Sequence, residues 1–236
     1  MAGNYLFLEL VPLNSLSKKF EDILDRKIWI IGSSGFAFDI ASKFVRVPGD
    51  GNVFMGFIDS RLEQMKATKK LCEEAGIPAM FELPESFNFS DPKNYFIFGV
   101  GDAIYKMQFA EKYQIQPEHF QRFEQSPNIN EHSRLGSGLY WGCRIASGVS
   151  IEHACFIDAN SVIGHGVEIG PFCHIAVGVI VGGNVKIGDA CYLHSGAIIG
   201  NNVSIGEGSI VGVGAVVVRS LPPGSKVIAP KSHNIS

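Results

Sequence analysis

The second half of the chain keeps hydrophobic time with a period of six. From Leu139 it divides into LYWGCR IASGVS IEHACF IDANSV IGHGVE IGPFCH IAVGVI VGGNVK IGDACY LHSGAI IGNNVS IGEGSI VGVGAV VVRSLP, fourteen hexads whose first residues are all Leu, Ile or Val. The fifth residues are almost all small or β-branched, and glycine recurs in second place at Gly164, Gly170, Gly182, Gly188, Gly200, Gly206 and Gly212. An α-helix repeats about every 3.6 residues and cannot hold such a stripe on one face. A short strand plus a turn can, if each hexad forms one side of a three-sided coil, so the pattern predicts a parallel β-helix. First positions should then point inward along each face and fifth positions should pack inside near the corners. The second-position glycines are expected at bends that ask for unusual φ. Stacked coils about 4.8 Å apart satisfy one another's backbone groups, so the unit is stable as an array.

The front half follows another rhythm. The apolar run KIWIIG from Lys27 to Gly32 predicts a strand, and the loop Gly32-Ser33-Ser34-Gly35 opens a segment in which Phe36, Ile40 and Phe44 recur at helical spacing. A second strand, VFMGFID, ends at Asp59. Strand, glycine turn, helix and strand form a βαβ unit whose loop N–H groups, at a helix N-terminus, suit an anion. The full G-x-G-x-x-G fingerprint of dinucleotide binding is absent. Apolar runs at Ala79–Leu83 and Tyr95–Val100, with helical stretches at Gln64–Ala75 and Ala103–Tyr113, complete a small parallel sheet. Pro117 to Gly138 reads as a connection. Ser15 could cap a short helix carrying Leu16, Phe20, Ile23 and Leu24. The expected organisation is an N-terminal extension over 1–26, an α/β Rossmann-like domain over 27–125 and the β-helix over 126–236.

Composition narrows the function classes. With 236 residues, 46% of them hydrophobic and 18% charged, the chain can bury two modest cores. A net charge of −3 and a pI near 6.2 leave no basic surplus for nucleic acid. The N-terminal MAGNYLFLELVPLNS lacks a basic n-region and contains Glu9, and no apolar run approaches a membrane span. Five cysteines in no framework spacing fit a reducing compartment, so a cytoplasmic protein is expected, with neither nucleic-acid nor membrane partners. Cys143, Cys155, Cys173 and Cys191 all fall in fifth positions and read as small core residues rather than metal ligands. Cys72 lies outside the repeat.

Taken together, IIGSSGFAFDIA, GFIDS, SVIGHGVEIGPFCHIAVG, VGGNVKIG and VGVGAVVVRSLPPGS resemble the bacterial hexapeptide-repeat acetyltransferases that modify nucleotide-linked amino sugars. The resemblance is to the sialic acid O-acetyltransferase type, including the UDP-4-amino-sugar and GDP-perosamine N-acetyltransferases, and covers nearly everything from Lys27 onward. It implies a left-handed coil, acetyl-CoA as co-substrate and a nucleotide sugar as acceptor. It also implies that His165 is the catalytic base and that His174, Gly183, Ser195, Val213 and Lys231 contact the coenzyme, Gly183 as backbone donor to the thioester oxygen. Gly32, Ser33, Ser34, Gly35, Asp59, Ser60 and Arg61 match the segments that hold the sugar nucleotide. The chain departs from the family at Gly166, where an acidic residue commonly follows the base, at the contracted VIAPKS close, and at His194, which stands where a coil glycine is usual.

The chemistry suits these positions. Acyl transfer from a thioester needs a nucleophile freed of its proton, aligned on the carbonyl, and a donor for the oxyanion. Histidine can accept the proton, and no metal is required because acetyl-CoA is already activated. His165 is third in its hexad and His174 sixth in the next, so both should project outward and lie on the order of 15 Å apart on one chain. That separation predicts a homotrimer with sites between chains. The expected function is acetyl-CoA-dependent N-acetylation of a nucleotide-linked deoxyamino sugar in surface-glycan biosynthesis. Alternatives are O-acetylation of the sialic acid type, a β-helix carbonic anhydrase, which would need a close pair among His153, His165, His174 and His194, and a non-catalytic scaffold.

Overall fold

The computed structural model describes residues 26–44, 52–126 and 128–229. In the front half, strands β1 (Arg26–Ile31), β2 (Asn52–Ile58), β3 (Met80–Glu82) and β4 (Asn94–Phe98) form one parallel sheet in the order β3-β2-β1-β4. Helices α1 (Gly35–Phe44), α2 (Leu62–Ala75) and α3 (Ala103–Lys112) connect or follow the strands, close to where the apolar spacing put them. β1 is the centre of the sheet, and its Ile28, Ile30 and Ile31 are fully buried because both faces are covered. Strand order reverses beside β1: β2 lies on one side and β4 on the other, so the loops after β1 and β4 diverge and leave a crevice.

From Arg122 onward the chain is a parallel β-solenoid of about six turns. Its three sheets have seven, six and five strands. The first face carries His174–Ile175 and Tyr192–Leu193, the second Val162–Ile163 and Ile180–Val181, the third Glu168–Ile169 and Lys186–Ile187. Residues eighteen apart pair, as in Ile157↔Ile175 and Ile175↔Leu193. From Ile145 onward the first-position aliphatics form one continuous buried core with the fifth-position residues, whereas Leu139 turns to the front layer and Tyr140 takes the inward place, a correction to the hexad frame at its first residue. Cys155, Cys173 and Cys191 stack in the same interior corner and direct Sγ to the carbonyls of Gly170, Gly188 and Gly206 at 3.1, 3.0 and 3.2 Å.

Two expectations change. Positive φ falls on the fourth hexad position, for example Gly166 at φ 65° and Asn184 at 54°, and not on the second. The second-position glycines serve close approach: a Cβ on Gly164 would lie 2.7 Å from the Gly182 carbonyl carbon one coil away. The segment 117–138 is also not merely a connection. Phe123, Ile129 and Leu135 pair with Leu139, Ile145 and Ile151 and make the first solenoid turn. This turn has sixteen residues rather than eighteen, which breaks phase with the hexads and hides it from a fixed-period reading.

The front layer docks on the first face. Phe36 meets Phe156, while Phe98 and Phe120 meet Phe172. Lys106, 1% exposed, reaches from α3 to donate to the carbonyls of Ala154 (3.3 Å) and Cys173 (3.1 Å). Burial pushes its ammonium down to about 8. The proposed helix at Ser15 and residues 1–25 lie outside the described residues, as does Lys231.

Candidate active site

The glycine loop is built by a buried carboxylate. Gly32 adopts φ 105°, and a Cβ there would lie 2.6 Å from Val100 Cγ1, so only glycine lets the β1 and β4 loops approach. Asp59, 2% exposed at the end of β2, accepts from Ser33 N (2.7 Å) and Ser33 Oγ (2.8 Å). It also accepts from Arg61 N, Nε and Nη2 at 2.9, 2.9 and 2.7 Å. Burial pushes this carboxyl upward, but the hydrogen bonds from Arg61 and Ser33 and the guanidinium charge outweigh it, and the group sits below its usual range. Asp59 and the buried Ser33 are therefore organisers of the loop. Ser34 donates to the Gly99 carbonyl at 3.1 Å and accepts from Ala37 N at 3.3 Å. Nothing lies within 4 Å of a Cβ on Gly35.

Three of the expected substrate residues, Ser34, Ser60 and Arg61, do line a common cavity of about 490 Å³. Its other walls, Val100, Gly101, Asp102 and Tyr105, come from the β4 loop and α3. These the sequence reading missed. The available signal was G99-V-G-D102 after an apolar run, with Asp102 as a helix cap: its Oδ1 accepts from Tyr105 N at 2.9 Å. A second cavity of about 480 Å³ shares Gly101 and Asp102 and continues over Ala190, Tyr192, His194 and Ile210 of the solenoid. A groove thus runs from the glycine loop across α3 to the solenoid.

His174 departs from expectation. It projects from the first face, but the front layer covers that face, and the imidazole is 6% exposed. Its Nδ1 lies 2.8 Å from the Gly101 carbonyl, which can only accept, so Nδ1 carries the proton. The ring packs between Phe156 and Tyr192, stacking on the latter at 4.6 Å. Burial, helped by the Lys106 charge and opposed by the Gly101 bond, pushes this imidazole down to about 3. A ring so enclosed is a neutral part of the domain contact.

His165 is different. It is exposed at the corner between the second and third faces, and a Cβ on Gly183 one coil above would lie 2.6 Å from its Nε2. The missing side chain of Gly183 is what gives the imidazole its seat. The Gly183 N–H, expected to meet the thioester oxygen, donates to Asn201 Oδ1 at 2.8 Å. Glu168 does not orient the imidazole through an ion pair of its own: it faces Lys186 at 3.4 Å on the neighbouring coil. Ser195 and Val213 are exposed on the corner between the first and second faces, Val213 by 67%. Between the two corners, Val162, Ile180, Ile198 and Val216 stand in register along the second face and are 38, 46, 39 and 58% exposed.

Among the described residues no helix is long and apolar enough to cross a membrane, and no cluster of three His, Cys, Asp or Glu is placed to hold a metal. No protein-family profile and no curated protein matches the chain. Among solved structures it is similar to WeeI from Acinetobacter baumannii AYE, with a TM-score of 0.62 and 23% identity over 86% of this chain and 97% of that one. It is also similar to PerB from Caulobacter crescentus, solved in complex with CoA and GDP-perosamine, with a TM-score of 0.51 and 22% identity over 85% and 92%. At these identities the likeness is one of fold.

Proposed function

We propose that this chain is an acetyl-CoA-dependent acetyltransferase acting on the amine of a nucleotide-linked deoxyamino sugar, a step of surface-glycan biosynthesis in the cytoplasm. In this reading the front layer, up to Gln121, is a Rossmann-like nucleotide-sugar domain, and the solenoid, from Arg122, is a left-handed β-helix that presents the acetyl donor. The observation that carries it is the exposed His165 imidazole seated over Gly183 at a solenoid corner. Support comes from the groove that leads from the glycine loop to the solenoid, and from the shared fold with PerB, which holds both kinds of ligand. A rod-like scaffold has no need of that groove.

The acceptor nitrogen attacks the thioester carbonyl carbon, so that a C–N bond forms and the C–S bond breaks. The nitrogen's proton passes to His165 Nε2 and from there to the departing CoA sulfur. Ser34 and Arg61 hold the diphosphate at the glycine loop. The coenzyme runs along the corner of Ser195 and Val213.

His165 and this corner lie on opposite edges of the apolar second face. A homotrimer in which each chain covers the Val162, Ile180, Ile198 and Val216 ladder of its neighbour brings one protomer's His165 to its partner's coenzyme corner. His165→Ala should leave assembly and acetyl-CoA affinity intact, since the residue lies outside the core, while kcat falls by about 10² or more. Single-turnover rates from pH 6 to 9 decide it: a variant within about threefold of wild type would show that positioning alone carries the catalysis.

A further inference from the structure

The solenoid end of the groove has a built character of its own. The Tyr192 and His194 rings stack there at 3.9 Å and 15°, and His174 stacks beneath Tyr192 at 4.6 Å and 6°, so the three rings form a column whose outer ring, His194, is a supported shelf. His194 occupies a second hexad position, where half of the fourteen hexads carry glycine. Facing the shelf are the aliphatic groups of Ile104, Ala190 and Ile210 and one carboxylate, Asp102. Capping of α3 engages Asp102 Oδ1, and among the described residues Oδ2 has no hydrogen-bond partner.

We propose that this shelf seats the sugar ring of the acceptor, with His194 under the ring, Tyr192 backing His194, and Asp102 reading its amine. The inference rests on the acetyl-transfer reading above and adds the residues that select the sugar. A nucleotide sugar whose phosphates lie at Ser34 and Arg61 meets the second cavity directly, because the two share Gly101 and Asp102. The lining suits a ring that has lost hydroxyls: a deoxy methyl packs on Ile104, Ala190 and Ile210, where hydroxyls would be desolvated without partners. A carboxylate accepts a hydrogen bond from the neutral amine that attacks the thioester, and a hydrogen bond to an ionised acceptor is of the stronger kind.

The test uses the full chain, acetyl-CoA, GDP-perosamine and a UDP-linked 4-amino-4,6-dideoxyhexose as acceptors, with GDP-rhamnose, a hydroxyl counterpart, as inhibitor. Asp102→Asn keeps the helix cap, since Asn caps as well as Asp, and His194→Gly introduces the residue this position commonly carries. Asp102→Asn should raise KM for the amino sugar about tenfold or more while Ki for GDP-rhamnose and for the nucleoside diphosphate alone stay the same. His194→Gly should weaken the amino sugar and GDP-rhamnose together and leave the nucleoside diphosphate and the acetyl-CoA KM unmoved. A wild type that acetylates the amino sugar, with both variants within twofold of it, overturns this inference alone. A wild type that acetylates neither acceptor overturns the acetyl-transfer reading and this inference with it.

Discussion

Acidification should loosen the contact between the two layers, and His174 is the group that makes it do so. Its folded imidazole lies at about 3, against an ordinary value near 6.5. The unfolded chain therefore binds the proton first. Stability from the neutral ring is fully present above about pH 6.5 and is lost as pH falls toward 3. Between pH 7 and 4.5 the unfolded imidazole becomes almost wholly protonated while the folded one stays neutral, which costs about 2.5 kcal/mol. Lys106 and His194 oppose a further positive charge on the ring. His174→Gln keeps an N–H for the Gly101 carbonyl and does not titrate. Urea unfolding of both proteins at pH 7 and 4.5, at one protein concentration, isolates the effect. His153, whose imidazole burial also lowers, contributes equally to both, and Asp59, held below its usual range, titrates beneath this window. The variant should lose about 2.5 kcal/mol less than wild type across that interval. Equal losses within about 0.5 kcal/mol would refute the reasoning, since the ring would then be solvated on the timescale of protonation.

Two further outcomes follow from the solenoid surface. Gly183→Ala puts a methyl where the His165 ring now sits, 2.6 Å from Nε2, so the ring must swing out; kcat should fall tenfold or more with little change in melting temperature, and unchanged kcat would mean the seat is irrelevant. Ile180→Lys places a charge in the middle of the exposed ladder, and sedimentation should show a trimer for wild type and smaller species for the variant, whereas a wild-type monomer at micromolar concentration would sink the assembly.

The solenoid was legible because its rule is local. Every sixth residue from Ile145 must be aliphatic for a three-sided coil to close on itself, so first and fifth positions from there on, and the burial of four cysteines, could be read without neighbours. The phase of that rule failed where a turn has sixteen residues, at Phe123, Ile129 and Leu135. Helix and strand positions in the front half were likewise carried by apolar spacing. What the sequence could not determine is which outward position stays outward. His165 and His174 are both outward in the hexad frame, yet one lies in solvent and the other beneath the Gly101 loop, because a layer distant in sequence docks on one face of three. The same holds for Asp59, which a strand-end reading sends to the ligand and which Ser33 and Arg61 draw inward instead. Periodicity sets the direction of a side chain relative to its own backbone; only the packing of remote elements decides what it meets there.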